Sequence, residues 1–290
     1  MTITVQELFN RVSDDIAQTI SATSTDPPLS RTFRYYNRVV DMIGQICARY
    51  ESDLAKTTQT IATVSGQAAY PDFKDILHAT DKWAYIILPS SKSEIRLISE
   101  RDSQGYGYVV GTYAQPEAFY IDGKNNIVFC STPDAVYSIA VPFWKKFSPV
   151  SALTYPITGA TKAKPCVLTT AFPGSTDDRI YIDSVVGMVQ LNGSFYHMTD
   201  IAGGTTISLQ NTDSTGYTAY GSGGIIYPCV PFNGIFDNLI NSMLQIYLQN
   251  REEYDLTFEV NIMNMIQDNV LSVIGQRKKD FLLKARGYKG

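Results

Sequence analysis

The hydrophobic period of this chain changes twice, and this change constrains the fold more than any other feature. Up to about residue 53, and again after Pro231, apolar residues recur every three or four positions, as in amphipathic helices. Between about residues 57 and 150 they alternate with polar residues, as in half-buried strands. The sequence therefore predicts an α+β fold in which helices at both ends of the chain flank an antiparallel β-sheet.

The N-terminal region predicts two helices that are separated by Asp26-Pro27-Pro28. Thr4 and Glu7 have the spacing of a capping box, which marks a helix start. The second helix is expected from about Ser30 to Asp53, with one apolar face and basic residues on the opposite side. The basic residues are Arg31, Arg34 and Arg38. They form either a solvated helix face or a surface that contacts a partner subunit or DNA.

The C-terminal region predicts a pair of long helices with a break near Arg251 to Asp255. The last stretch, Gly275 to Gly290, is predicted to be a basic tail that becomes ordered on binding. Its basic residues that we expect to face a partner or DNA are Arg277, Lys278, Lys279, Lys284 and Arg286.

A segment rich in Gly, Thr and Ser lies between the sheet and the C-terminal helices. Its short apolar runs and the hairpin signal Asn192-Gly193 predict a small β-barrel. We expect this barrel to be an insertion, because terminal helices usually complete a core with each other. The predicted organisation is a core of helices and sheet over 1–154, the inserted barrel over 155–228, and core helices with a basic tail over 229–290.

No residue pattern in the chain predicts catalysis, a metal site or a cofactor. The four cysteines lack the C-x-x-C spacing of a zinc site, and the chain has only two histidines. Asp72, Asp75 and Asp81 lie near His78, and we interpret them as a polar loop. Neither a phosphate-binding loop nor a nucleophile elbow is present. A low charged fraction of 18% and abundant aromatic residues favour large protein interfaces, or simply a β-rich domain.

The predicted barrel resembles the small domain called FCCH-like, named from ubiquitin-activating enzymes and also found in phage tail and connector proteins. The residues that carry this resemblance are Asp178-Arg179-Ile180-Tyr181-Ile182, Gln190-Leu191-Asn192-Gly193 and Asp213-Ser214-Thr215-Gly216-Tyr217. The resemblance implies a small barrel and no catalytic role for Cys166 or Cys229.

The rest of the chain, with Phe33-Arg34-Tyr35-Tyr36-Asn37 in its second helix, resembles the head-to-tail adaptor proteins of short-tailed bacteriophages. This resemblance implies a non-enzymatic virion protein that is made in the bacterial host cytoplasm and lies at the head–tail junction. Its subunits would form a ring, twelve-fold in that family, under the portal protein. The ring would extend the DNA channel and carry the tail or nozzle proteins.

Further expectations concern the partners. The implied partners are the portal protein, tail or nozzle proteins and other copies of the chain, with non-specific contact to genomic DNA as an alternative for the basic residues. No apolar run reaches the roughly 18 residues that would span a membrane.

Two other functions remain open from the sequence. One is a different tail subunit, such as a tail-tube, baseplate or fibre-attachment protein. The other is a carbohydrate-binding surface protein, which would need exposed Tyr or Trp side chains. The two tryptophans, Trp83 and Trp144, both lie outside the predicted barrel.

Overall fold

The computed structural model describes most of the chain, in two compact units. The first unit comprises Met1–Leu54 and Phe147–Gly290, and the second comprises Ala55–Lys146. For residues 76–79, 83, 104–105, 201, 256–257 and 277–286 the backbone alone is described. The described residues are 2–70, 76–79, 83–88, 92–105, 113–124, 126–201, 205–249 and 256–286.

Both units contain helices and strands, which we number in chain order. The helices are α1 (Val5–Ile16), α2 (Leu29–Arg49), α3 (Glu100–Gly105), α4 (Asp237–Gln249) and α5 (Leu256–Arg286). The strands of the second unit are β1 (Lys56–Ala62), β2 (Ala69–Tyr70), β3 (Ile76–Ala79), β4 (Trp83–Ile87), β5 (Lys92–Leu97), β6 (Tyr113–Ala114), β7 (Ala118–Ile121), β8 (Ile127–Cys130), β9 (Thr132–Pro133) and β10 (Ser138–Lys145). The strands of the first unit are β11 (Tyr155–Ala160), β12 (Cys166–Thr170), β13 (Arg179–Val186), β14 (Ser194–Ile201), β15 (Thr206–Leu209) and β16 (Ser222–Pro228).

Helix α1 begins with the predicted capping box. The Thr4 hydroxyl accepts a hydrogen bond from the Glu7 amide at 3.1 Å, and the Glu7 carboxylate accepts one from the Thr4 amide at 2.8 Å. The helix ends where Ala17 adopts a left-handed conformation. Two backbone donors that a helix start would leave unsatisfied are therefore bonded, and the prediction is confirmed.

Helices α1 and α2 both pack against α4, and α2 also packs against α5. Phe9 of α1 contacts two rings of α2, Phe33 at 5.2 Å and Tyr36 at 5.7 Å between centroids. On another side of α2, Tyr35 stacks on Tyr247 of α4 at 4.7 Å with an interplanar angle of 10°. Helix α2 therefore packs side chains on two sides, whereas its hydrophobic period predicted a single apolar face.

The main sheet of the second unit has the strand order β1-β10-β4-β5-β7-β8-β2, and β3 also pairs with β10. Strands β7 and β8 form a hairpin, and in its turn the Asp122 carboxylate accepts hydrogen bonds from the amides of Lys124 and Asn126. The described pairing of this unit differs from the antiparallel expectation at two places. Outside the main sheet, β6 runs parallel to β9, and within it β5 runs parallel to β7. The chain between them contains α3, and such a crossover permits parallel pairing.

The predicted barrel is present as a closed sheet with the order β11-β12-β15-β14-β13-β16. Its first and last strands are neighbours, since Tyr155 pairs with Ile226 and Pro156 with Ile225. The chain therefore enters and leaves the barrel at adjacent positions, as an insertion requires. The segment at Asn192-Gly193 joins β13 to β14, and the Asn192 side chain bonds both the amide and the carbonyl of Val185.

The C-terminal pair of helices is confirmed, with one difference from the sequence analysis. Helix α5 is 31 residues long and continues through Gly275 to Arg286, so most of the predicted tail has helical backbone. The predicted break at Arg251 to Asp255 lies outside the described residues. In the part of the chain that the structure describes, no helix is both long and apolar enough to cross a membrane.

Candidate interaction surfaces

The three arginines of α2 have different surroundings. Arg31 lies 3.9 Å from the carboxylate of Asp26, and its side chain is 37% exposed. The Arg34 guanidinium is exposed and lies 5.2 Å from the centroid of the neighbouring Tyr35 ring. Arg38 lies 2.6 Å from the carboxylate of Glu259 on α5. The predicted stripe is therefore present along α2, and its last member pairs with a residue of another helix.

Arg38 belongs to a small network that joins three helices. Its guanidinium lies 5.9 Å from the ring centroid of Tyr247 on α4, and the Tyr247 hydroxyl donates to Glu259 at 3.3 Å. Burial raises the pKa of Tyr247 to about 12, although the charge of Arg38 opposes this shift. The phenol therefore keeps its proton at neutral pH, and Glu259 accepts a hydrogen bond from Tyr247 and forms an ion pair with Arg38. This network holds α2, α4 and the start of α5 together.

The basic residues of α5 are spread around the helix. At about 100 degrees per residue, Lys284 falls near Arg277, Arg286 falls near Lys279 on the opposite side, and Lys278 falls between them. This end of α5 therefore carries positive charge on several sides. It forms no single stripe.

Chemistry-bearing residues form no metal or catalytic arrangement among the residues that the structure describes. No cluster of three His, Cys, Asp or Glu side chains there could hold a metal ion. Asp72, Asp75 and Asp81 lie outside the described residues, and the His78 side chain is not described either. Burial raises the pKa of both Cys47 and Cys229 to about 12, so these thiols are poor nucleophiles at neutral pH.

An aromatic row on the outer face of the barrel was missed by the sequence analysis. Strand register places Phe195, Tyr181 and Tyr227 side by side on β14, β13 and β16. The ring centroid of Tyr181 lies 5.0 Å from that of Phe195 and 5.9 Å from that of Tyr227. Alternation within β13 and β14 signals outward aromatic side chains, but the order of the strands around the barrel is not visible in the sequence.

The aromatic row forms one wall of a cleft of about 440 Å³, which we call the aromatic cleft. The other wall is the first half of α1 together with the residues before it. Two contacts connect these walls: Thr4 forms a β-bridge with Cys229, and Arg179 donates to the Thr2 hydroxyl at 2.8 Å. The residues of α1 that line the cleft with polar side chains are Gln6, Glu7, Asn10 and Arg11.

Comparison with known proteins identifies one family. The model of the SU10 adaptor protein family matches residues 3–173, which is more than half of the chain. The match includes α1, α2, the whole second unit and the first two strands of the barrel. No curated protein matches the chain significantly. The resemblance to adaptor proteins is confirmed by this match, whereas the resemblance to FCCH-like domains stays a prediction. This chain belongs to the SU10 adaptor protein family.

Proposed function

We propose that this protein is a non-enzymatic subunit of a phage particle, the adaptor that joins the portal to the tail. Copies of the chain assemble as a ring under the portal, extend the DNA channel and form the platform for tail or nozzle proteins. The observation that carries this proposal is the family match, because it covers both N-terminal helices and the entire sheet unit.

Helix α5 is the element that we assign to the portal. At about 1.5 Å per residue, its 31 residues extend for about 46 Å. The described residues that it buries recur every four positions and anchor its first two thirds; they are Ile262, Ile266, Val270 and Ile274. The basic residues follow this buried stripe. The first part of the helix thus belongs to the folded core, and the last part is the segment that we propose for docking.

Positive charge on several sides of α5 suits a groove that surrounds the helix end with acidic groups. Long-range attraction would speed the encounter, and added salt would weaken the contact by screening the charges. The Arg38–Glu259 ion pair supports this role, since it connects α5 to α2 at the other end of the helix. We assign Arg31 and Arg34 to a neighbouring subunit in the ring.

Native mass spectrometry of the chain, alone and mixed with the portal ring of the same phage, tests the proposal. We expect a discrete ring-on-ring complex whose mass gives the number of copies. Free portal and free chain would contradict the adaptor role and favour a tail-tube, baseplate or fibre-attachment subunit.

A charge-reversal variant tests the assignment of α5. In a variant that combines Arg277→Glu, Lys278→Glu and Lys279→Glu, we expect the affinity for the portal ring to fall at least tenfold at low salt. The matched control reverses three exposed lysines elsewhere, Lys92, Lys124 and Lys162, and should bind as the wild type does. Unchanged portal binding combined with weaker DNA binding would instead assign the basic end of α5 to the genome.

A further inference from the structure

We propose that the aromatic cleft binds a saccharide of one or two rings. This inference is independent of the adaptor role, because it rests on the barrel and α1 and on no contact with the portal. It assigns a ligand-binding function to the inserted barrel, for which the family match provides none.

The aromatic wall suits the apolar face of a sugar ring. Phe195 is 37% exposed, and the rings of Tyr181 and Tyr227 are half-buried beside it. The ring of Tyr181 is inclined by 54° to that of Phe195 and by 56° to that of Tyr227. The three rings are therefore inclined to one another and form a wall that is not flat. Such a wall offers aromatic faces to C–H groups while the tyrosine hydroxyls stay near water.

The opposite wall suits the hydroxyl groups of a sugar. Among the described residues, the side chains of Gln6, Asn10 and Arg11 make no hydrogen bond within the chain. Two amides and a guanidinium provide both donors and acceptors, the combination that polyhydroxylated ligands require. An apolar ligand would cover these groups without bonding them, at a cost in free energy.

The closed barrel argues against an extended peptide as the ligand. Peptides that add to a sheet need an unpaired strand edge. Strand β13, which carries the central ring of the aromatic row, is bonded to β14 on one side and to β16 on the other. The cleft therefore offers side chains to a ligand and no strand edge.

The cleft is also held in shape before any ligand arrives. The Val230 amide donates to the Ile3 carbonyl at 2.9 Å, next to the bridge between Thr4 and Cys229. Arg179 bonds Thr2 and lies 5.0 Å from the centroid of the Phe195 ring. A site that is already ordered loses less conformational entropy on binding. Its volume of about 440 Å³ lies in the range of about 300–1,000 Å³ that is usual for small-ligand sites.

The test is saturation-transfer NMR followed by calorimetry with named probes: glucose, galactose, rhamnose, N-acetylglucosamine, maltose and lactose. We expect at least one of them to bind with a Kd in the millimolar range or tighter. Absence of binding by all six would overturn the proposal.

Variants locate the site. Tyr181→Ala should weaken binding at least tenfold, and Asn10→Ala should weaken it about threefold to tenfold without disturbing the barrel core. The control is Tyr113→Ala, which removes a 65% exposed tyrosine of the second unit and should leave binding unchanged. Thermal unfolding of each variant shows whether it is folded. Equal sugar binding by wild type, Tyr181→Ala and Asn10→Ala would overturn the proposal. It would also be overturned if no sugar bound the wild type and the two variants lost binding to a tail protein in native mass spectrometry.

Discussion

The barrel and the main sheet of the second unit are both β-structures with apolar cores, but only the main sheet has edge strands. In the barrel, each of the six strands pairs with two others. In the main sheet, β1 and β2 stand at the ends of the strand order. An edge strand leaves backbone donors and acceptors on one side of the sheet, whereas closure removes edges altogether. Pairing of the first barrel strand with the last therefore leaves the barrel without an edge strand, whereas the strand order of the main sheet ends at β1 and β2.

Loop anchoring, by contrast, is alike in the two regions. In the barrel, the buried Ser214 hydroxyl donates to the Thr161 carbonyl at 2.7 Å and accepts from the Ala163 amide at 3.0 Å. In the sheet, the buried Thr63 hydroxyl donates to the Ala135 carbonyl at 2.9 Å and accepts from the Tyr137 amide at 2.7 Å. Each hydroxyl therefore ties a distant loop to its own β-structure.

The largest expected effects come from core truncations. Leu168→Ala in the barrel and Ile95→Ala in the sheet each remove a side chain with no exposure to solvent, and each should cost about 2–5 kcal/mol. If the regions are separate cooperative units, hydrogen exchange should accelerate over 155–228 in the first variant and over 55–146 in the second. The exposed Val186→Ala is the control and should change stability by less than about 0.5 kcal/mol. Faster exchange throughout the chain in both variants would show a single cooperative unit and break the comparison.

A glycine pair tests how tightly the barrel closes. Gly187 has a φ of +89°, and a Cβ there would lie 2.3 Å from the Ala219 carbonyl oxygen. Gly187→Ala should therefore cost about 2–4 kcal/mol, from backbone strain and overpacking together. Gly193 also has positive φ, at +70°, but a Cβ there meets nothing within 4 Å. Gly193→Ala should cost only about 1 kcal/mol in urea unfolding. Equal costs would mean that the strands near Gly187 can move apart.

The two buried hydroxyls should give intermediate and similar effects. Ser214→Ala and Thr63→Val each leave a partly buried backbone amide without its acceptor, so each should lower the free energy of unfolding by about 1–3 kcal/mol. The exposed Thr60→Val on β1 serves as the control and should be nearly neutral. A loss for one hydroxyl alone would show that only one of the two β-structures needs this anchor.

The smallest expected effect is a difference between the alkylation rates of two thiols, and its measurement requires no substitution. Burial raises the pKa of Cys130 in the sheet and of Cys166 in the barrel. Reaction with iodoacetamide therefore requires local opening of each region. We expect Cys130 to react about tenfold faster than Cys166, equivalent to about 1.4 kcal/mol in opening free energy, because the sheet has edges that can fray. Peptide mass spectrometry at several times measures both rates, and faster reaction of Cys166 would reverse the comparison.

Much of the fold was predictable because it depends on residues close together in the chain. Thr4 and Glu7 are three positions apart, so helical geometry alone brings their bonding groups together. The turn at Asp122 and the hairpin between β13 and β14 depend on single residues that accept local hydrogen bonds. The apolar periods predicted the other three long helices and most strands for the same reason, but they did not predict the short helix α3.

Charge patterns were less informative about the candidate surfaces. The sequence places Arg38 on the same face of α2 as Arg31 and Arg34, yet Arg38 lies beside Glu259 of a helix that is distant in the chain. The basic residues after Gly275 suggested a tail, but helix α5 continues through them because it has no proline there to end it. A helical-wheel projection of α2 alone does not indicate which other helix packs against it.

The sequence by itself determined where the four long helices and most strands occur, where the chain turns, and that a small β-barrel interrupts an α+β core. Only the tertiary structure decided the parallel pairing of β5 with β7, the ion pair between Arg38 and Glu259, and the meeting of Tyr181, Phe195 and Tyr227 beside α1. The physical reason is the range of the interactions. Local hydrogen bonds and periods follow from covalent geometry, whereas distant contacts depend on which strands and helices bury their apolar faces against each other.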